Sequence, residues 1–452
     1  MRAYLATSIG VVCTAALVLP LAPAAGAAAP SPTDLLSPPS SSSALRAPDS
    51  PAGETQSLAL DALGGARAAG SAAVQGLTRR DVRPFSLVGV VWDDAETELH
   101  GSVQVRTRAS GGAAWSEWQD VETHNLEHAA DPGTAERESG PARGATAPLW
   151  VGDSDGVEVR VRAEPHAPLP EGLHLELVDP GADVGAEVPA DEDVRSASLP
   201  EAEGTVIPAL SREETEAEYA AEHAGEHAGE YAGEYGPEAA DLTRRAAAKP
   251  FIGPRPRIIT RKGWGADERL REKKFVYTKK VKAAFVHHSA TGNNYACRQA
   301  PSVLRSIYRY HVVSSGWRDF GYNFAIDKCG NIYEGRAGGV TRAVMGAHTR
   351  GFNTNSMGIA VLGTFGSSSP PSAVVNAIAR LTAWKLGLFG ANPRGKTYLT
   401  SGGGNLYKKG RKVRLNVISG HRDGFATSCP GARLYKKLGD TRTASARYQG
   451  RA

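Results

Sequence analysis

Ser419-Gly-His-Arg-Asp-Gly-Phe-Ala-Thr-Ser-Cys-Pro430 sets an imidazole, His421, eight residues before a thiol, Cys429. A second histidine source, Phe285-Val-His-His-Ser-Ala-Thr291, follows Val281-Lys-Ala-Ala-Phe-Val286, a run apolar enough to be a buried strand that delivers His287 at its end. Imidazole nitrogen and thiolate sulfur are the ligand types that zinc prefers. His287, His421 and Cys429 make three ligands and leave a fourth tetrahedral position for water, the pattern of a catalytic rather than a structural zinc. Pro430 suits the first turn of a helix. Cys429 is then expected at a helix N-terminus, where the dipole favours the thiolate. A Cys–His dyad for thiol chemistry is the rival reading of the same residues. His421-Arg-Asp423 also matches the His-Arg-Asp of a kinase catalytic loop, but no Gly-rich loop, strand lysine or Asp-Phe-Gly accompanies it.

The 452 residues leave room for two or three domains. Residues 251–452 carry 35 Lys+Arg against 8 Asp+Glu, whereas residues 1–250 carry 17 against 40. The net charge of +4 therefore conceals an acidic front half and a basic back half. Such asymmetry implies that the basic half meets a polyanion, or that the two halves attract each other. Nucleic acid is one candidate polyanion and an anionic cell-wall polymer is another. No aromatic-basic reading surface is present, so nucleic acid is not expected as a partner. Lys396, Lys408, Lys409, Arg411 and Lys412 form the densest basic cluster.

Arg2, the apolar run from Val11 to Leu21 and Ala24-Ala-Gly-Ala-Ala-Ala29 have the form of a secretory signal peptide over residues 1–29. An uncleaved anchor is the alternative. No later segment is long and apolar enough to span a membrane, so the expected location is secreted, extracellular or cell-wall associated. Removal of the leader takes Cys13 with it and leaves Cys297, Cys329 and Cys429. Pairing Cys297 with Cys329 and giving Cys429 to a metal accounts for the odd count in an oxidising compartment.

Residues 30–80, rich in Ser, Pro, Ala and Gly, read as a disordered segment, with a transient helix at Leu58-Ala-Leu60. Residues 81–181 contain short alternating runs separated by turns, which predicts an all-β, sandwich-like domain. Trp115, Trp118 and Trp150 are either its core or a sugar-stacking face. Residues 182–250 read as an acidic, low-complexity linker in which Glu222 to Tyr235 repeats every four residues. From residue 251 the texture is α/β. Pro301 opens a helix whose Val303, Leu304, Ile307, Tyr308 and His311 share a face, and Asp327-Lys-Cys-Gly330 turns a hairpin. Ser356 to Leu362 is a central strand, a helix follows Pro370-Pro371, and residues 393–416 form a basic hairpin or loop. Residues 441–452 read as a frayed tail.

Seven motifs in order, Arg261-Lys-Gly-Trp-Gly-Ala266, Phe285 to Ala290, Gly316 to Phe324, Gly330 to Arg336, Gly346-Ala-His348, Asn355 to Ile359 and His421 to Pro430, carry a family resemblance. Residues 251–440 resemble the zinc amidase domain shared by type-2 N-acetylmuramoyl-L-alanine amidases and peptidoglycan recognition proteins. The front end is similar to that of long secreted amidases of actinobacteria. The fold the resemblance implies is an α/β zinc amidase domain, a mixed central sheet with flanking helices, preceded by the small all-β domain and disordered linkers. It implies peptidoglycan as the partner, Zn2+ as the cofactor, and hydrolysis of the amide joining N-acetylmuramic acid to L-alanine. It implies His287, the first of the histidine pair, with His421 and Cys429, as the metal ligands. Tyr322 matches the tyrosine that assists at the metal. Thr427 stands where phage enzymes carry lysine, and is assigned a hydrogen bond to the developing oxyanion. His348 and Asn353 match a segment lining the substrate groove. Members that bind peptidoglycan without cutting it typically lack the cysteine, so Cys429 favours catalysis over recognition alone.

Overall fold

Eight strands make up the N-terminal domain: β1 (Ala52–Ala59), β2 (Asp61–Ala62), β3 (Val74–Trp92), β4 (Gly101–Ala109), β5 (Gln119–Val121), β6 (Gly144–Ala145), β7 (Leu149–Ala163) and β8 (His174–Gly181). The structure, a computed structural model, describes residues 52–63, 73–138, 142–182, 203–231 and 250–452. The strands pair antiparallel in the order β1-β8-β3-β7-β4-β5, with β2 and β6 both on β3. Where short strands were expected, β3 and β7 are long and bend through register shifts at Leu77/Arg80, Asp81/Phe85 and Phe85/Leu87. Such bulges sharpen twist and let one strand serve two layers. The run Phe85–Trp92 is buried throughout. Val88, Val90 and Trp92 face the domain's own core, while Leu87 and Val91 face the second domain. A strand covered on both faces reads as a near-continuous apolar run, which Phe85-Ser-Leu-Val-Gly-Val-Val-Trp92 is.

The second domain is built on a seven-stranded mixed sheet. Its strands are β9 (Val206–Ile207), β10 (Ile258–Ile259), β11 (Ala283–His288), β12 (Phe324–Ile326), β13 (Ile332–Glu334), β14 (Ser356–Val361) and β17 (Ile418–Gly420), in the order β17-β11-β14-β12-β13-β10-β9. β15 (Lys396–Thr400) and β16 (Lys412–Asn416) form a separate hairpin, as the basic stretch predicted. Besides the one-turn helix α1 (Ala135–Glu138) of the N-terminal domain, five helices are described: α2 (Arg212–Tyr231), α3 (Ala300–Arg309), α4 (Ser372–Gly387), α5 (Ala432–Tyr435) and α6 (Leu438–Tyr448). Ala284, Val286, Ile359 and Val361 pack with Ile378, Leu381 and Trp384 of α4 on one face of the sheet. On the other face lies α3, and every residue of it from Ala300 to Tyr308 is buried. The single apolar stripe predicted for α3 is too narrow a description, because the helix is covered on both sides. Val303, Leu304 and Ile307 share one core with Leu87, Val91, Trp150 and Val178 of the N-terminal domain.

Three expected boundaries move. Residues 30–80 are not uniformly without structure: β1, β2 and the start of β3 lie there, and Leu58 is in a strand rather than a transient helix. Pairing of β1 with β8 supplies the order that local composition lacks. The 182–250 linker contains β9, which pairs with β10, and α2, whose start is a Ser-x-x-Glu capping box. There Ser211 Oγ accepts from the Glu214 amide at 3.2 Å, and Glu214 Oε2 accepts from the Ser211 amide at 2.8 Å. The 441–452 tail is largely α6, with Thr441, Ser445 and Ala446 buried, and Gln449 donates to the Ala383 carbonyl at 3.0 Å. The predicted signal peptide lies outside the described residues. Among the described residues, no helix is long and apolar enough to cross a membrane.

Candidate metal centre

Strand register explains why histidines far apart in sequence meet. β11 and β17 run parallel with Val286 opposite Gly420, so His287 in β11 and His421 just past the end of β17 are the next residues side by side. Both stand at the carboxyl ends of the strands, where open α/β sheets form their crevices. The chain then makes a 3-10 turn over His421–Asp423 and loops back to Cys429. The Arg422 amide donates to the Cys429 carbonyl at 3.1 Å and the Cys429 amide donates to Thr427 Oγ1 at 3.1 Å. Cys429 Sγ ends 3.8 Å from His287 Nδ1. Alternation along β11 turns His288 away, where its Nδ1 accepts from the Phe365 amide at 3.3 Å.

The cluster has a fourth member that the sequence did not disclose. His128, from the loop between β5 and α1 of the N-terminal domain, joins His287, His421 and Cys429. One ligand atom from each of the four lies within 4.8 Å of the others. The His128 ring is 4.4 Å from that of His421 and 5.4 Å from that of His287. Nothing in His124-Asn-Leu-Glu-His128 suggests a ligand. The only signal was the charge complementarity of the two halves of the chain.

The donor set fits a metal. Both ring nitrogens of His128 and of His421 are buried without a hydrogen bond of ordinary geometry, although His421 lies against the Glu127 backbone; an unsatisfied group costs about 1–3 kcal/mol unless something binds it. Burial, reinforced by the neighbouring imidazoles, holds His287 and His421 well below the ordinary histidine range. Burial also lowers His128 to about 3. All three are therefore neutral, the form that ligates. Burial pushes the Cys429 thiol well above its ordinary value, and the His288 N–H that reaches Sγ at 3.4 Å offsets only part of this. A thiolate here requires a cation beside it. The predicted helix-dipole effect is absent, because Gly431 caps α5 and Cys429 lies outside that four-residue helix.

The other predicted residues take distinct places. Tyr322 is buried with its ring 5.2 Å from that of His287, and burial pushes its phenol well above the ordinary value. The Thr427 hydroxyl donates to Glu127 Oε1 of the N-terminal domain at 2.7 Å. His348 is wholly buried, its ring 5.3 Å from that of His287. Its Nδ1 lies 3.0 Å from Thr349 Oγ1, which in turn lies 3.3 Å from His287 Nε2. Thr349, which sequence reasoning passed over, thus orients a ligand in the manner of outer-shell partners at metal sites. Asn353 is also buried. Its Oδ1 accepts from the His348 and Thr349 amides, and its Nδ2 donates to Ala129 O at 2.9 Å and Asp131 Oδ1 at 2.6 Å. The cavity beside the cluster is about 10 Å³, room for on the order of one water. Cys297 and Cys329 form the expected disulfide, and Cys429 is free. The guanidinium groups of Arg79, Arg106, Arg108 and Arg160 lie over the half-buried Trp115 and Trp118 rings, and Trp150 is interdomain core.

The chain thus sets a histidine–cysteine cluster able to hold a metal at the carboxyl ends of a mixed α/β sheet, beside a β accessory domain. Residues 277–432 match the family described as N-acetylmuramoyl-L-alanine amidase, and residues 39–189 match that described as Rv3811 N-terminal galactose-binding domain-like. Peptidoglycan-recognition protein SC2 of Drosophila melanogaster is 33% identical over 183 residues, 40% of this chain and 84% of the relative. Peptidoglycan-recognition protein 1 of Holotrichia diomphalia is 29% identical over 184 residues, 40% of this chain and 79% of the relative. Among solved structures, wild-type Drosophila PGRP-LB is 27% identical, with 40% of this chain and 91% of that one covered at a TM-score of 0.32. The chain belongs to the family of N-acetylmuramoyl-L-alanine amidases and peptidoglycan recognition proteins.

Proposed function

We propose that this protein is a secreted, zinc-dependent N-acetylmuramoyl-L-alanine amidase that cuts the amide between N-acetylmuramic acid and L-alanine in peptidoglycan. The observation that carries the reading is the convergence of the free Cys429 thiol with His287 and the buried His421. Those three residues would hold Zn2+, which when bound supplies Lewis-acid chemistry at neutral pH. Thr349 fixes the His287 ring so that Nδ1 points at the cluster. Tyr322, kept protonated by burial, is a donor for the oxygen of the scissile amide as negative charge develops there. The Thr427 hydroxyl is a second donor at the rim once it leaves Glu127. The Cys297–Cys329 disulfide supports an oxidising, extracellular location. Lys396, Lys408, Lys409, Arg411 and Lys412 are exposed on the β15–β16 hairpin and suit retention on anionic wall polymers.

The test is metal content and wall digestion by the full chain. Wild type is expected to carry about one zinc per chain and to release stem peptides. Cys429→Ser should keep wall binding and lose both zinc and hydrolysis; undiminished cleavage by that variant refutes the assignment. The second reading is peptidoglycan recognition without cleavage, which the names of the relatives and the filled site favour. It predicts wall binding that is indifferent to a chelator and no released peptide from any variant.

A further inference from the structure

We propose that His128 is a fourth, intramolecular ligand of the metal, and that the loop carrying it closes the site in the chain as folded. The inference rests on the zinc reading above and specifies what occupies the position that reading leaves to water. Around zinc, bonds of about 2.0–2.3 Å set ligand atoms roughly 3.3–3.8 Å apart, so four atoms already within 4.8 Å need only a small contraction to share one ion. Both His128 nitrogens lie buried without a protein partner, and the ring touches those of His287, His421 and Tyr322. With three imidazoles and one thiolate, the coordination is that of a closed site, in which no position remains for the reacting water.

The rest of the loop is fastened to residues assigned to the reaction or flanking them. Glu127 takes the Thr427 hydroxyl, and its carbonyl accepts from the Arg350 amide at 2.9 Å. Asp131 Oδ1 accepts from the Gly351 amide at 2.7 Å and from Asn353 Nδ2 at 2.6 Å. Glu136, on α1, makes a two-pronged pair with Arg336 at 2.6 and 2.8 Å, both side chains being buried. Each anchor thus sets an acidic side chain of the front half against a group of the basic half. Glu127 and His128 of the loop wall the cavity that also touches Tyr322, Thr427 and Cys429, and its volume of about 10 Å³ admits no substrate. Wall peptide therefore gains access only when the loop withdraws, and its acidic and carbonyl groups stand in for substrate until then.

The loop, rather than the whole domain, is the part that can move. The N-terminal domain is held to α3 by an apolar core, whereas residues 127–136 are held mainly by polar and charged contacts. Water and wall polymer can replace polar contacts far more readily than they can replace a buried apolar core.

X-ray absorption of the zinc-loaded full chain counts the imidazoles directly. Wild type is expected to show three imidazoles and one sulfur; His128→Ala is expected to show two imidazoles, one sulfur and one oxygen. Added imidazole should bind His128→Ala and restore the three-imidazole signal, which shows that the variant is folded. Two imidazoles and an oxygen in wild type, or a His128→Ala spectrum that matches wild type, overturns the ligand assignment. Asp131→Ala and Glu136→Gln leave all four ligands in place, and these two variants and His128→Ala should digest wall at least about tenfold faster than wild type. Equal rates for all four proteins overturn the closure. A change in imidazole count with no digestion by any variant upholds His128 as a ligand and refutes the amidase reading instead.

Discussion

Replacing Glu136 by glutamine removes one charge from a pair that is almost wholly out of water, with side chains 4% and 7% exposed. Breaking a buried pair by neutralising one partner costs about 3–5 kcal/mol, because the remaining charge is left uncompensated. Arg336 keeps the Phe320 carbonyl at 2.8 Å and the Met345 carbonyl at 3.2 Å, and glutamine keeps one acceptor, so the low end, about 3 kcal/mol, is expected. If the loop opens locally, that loss falls on the loop and not on the whole fold. At about 1.36 kcal/mol per decade, it raises the open population roughly a hundredfold. Hydrogen exchange reads this directly at the Gly351 amide, which donates to Asp131 on the loop. Its protection should fall by about two decades in Glu136→Gln, while amides of β11 and β14 keep theirs. Glu96→Gln is the control. That carboxylate is 54% exposed where it meets Arg350, so its loss should cost under about 1 kcal/mol and fade in salt. A Gly351 amide whose exchange changes less than about threefold in Glu136→Gln refutes the reasoning, since the pair would then already be open to water in solution.

The β domain should detach in Gly89→Val, because any Cβ at Gly89 meets the Tyr310 ring at 2.3 to 2.6 Å; a loss of about 1–3 kcal/mol in urea unfolding is expected. Reducing or removing the Cys297–Cys329 bridge, whose partners are 32 residues apart, should cost about 3–4 kcal/mol of stability by chain entropy, measured by urea midpoint with and without reductant. Burial depresses His311 to about 3, so the unfolded chain takes up its proton first as pH falls below the ordinary value of 6.5. Its stabilising contribution is complete above that pH and is lost on acidification, by about 2 kcal/mol between pH 7.5 and 5. His311→Gln should flatten the pH dependence of the urea midpoint by that amount, and an unchanged slope counts against the burial.

How much of this was legible follows from which physics is local. Ligand type is local: two histidines and a cysteine near apolar runs mark candidate metal ligands or a thiol dyad before any fold is known. The boundaries of β11, β14 and α4 are local too, since apolar runs, paired prolines and strand alternation mark them. Strand pairing is not local. Gly53, Thr55 and Ser57 carry no strand signal of their own, and only the register with β8 makes β1 a strand. Ser211-Arg-Glu-Glu214 was a readable capping signal, but the acidic repeat that follows it masked the helix. The frayed-tail reading of residues 441–452 missed α6 because Thr441, Ser445 and Gln449 are polar; Ser445 and Gln449 hydrogen-bond to α4, and Thr441 donates to the Lys437 carbonyl one turn earlier.

His128 was beyond reach for a further reason. A ligand presented by one domain to another depends on the docking of both, and docking here is set by Leu87, Gly89 and Val91 meeting α3 and Tyr310. Those residues looked like ordinary core. Once they fix the domains together, the acidic surplus of the front half has a specific destination. Glu127, Asp131 and Glu136 reach Thr427, Asn353 and Arg336, so three acidic side chains of the front half are bound beside the cluster, one of them to a cation. The basic hairpin β15–β16 keeps its exposed lysines and arginines, so the proposed wall attraction and the proposed closure draw on different groups. On the proposed reading, the chain settles on wall polymer through the hairpin while the loop still covers the cluster, and opening exchanges polar contacts of the loop for those of the substrate.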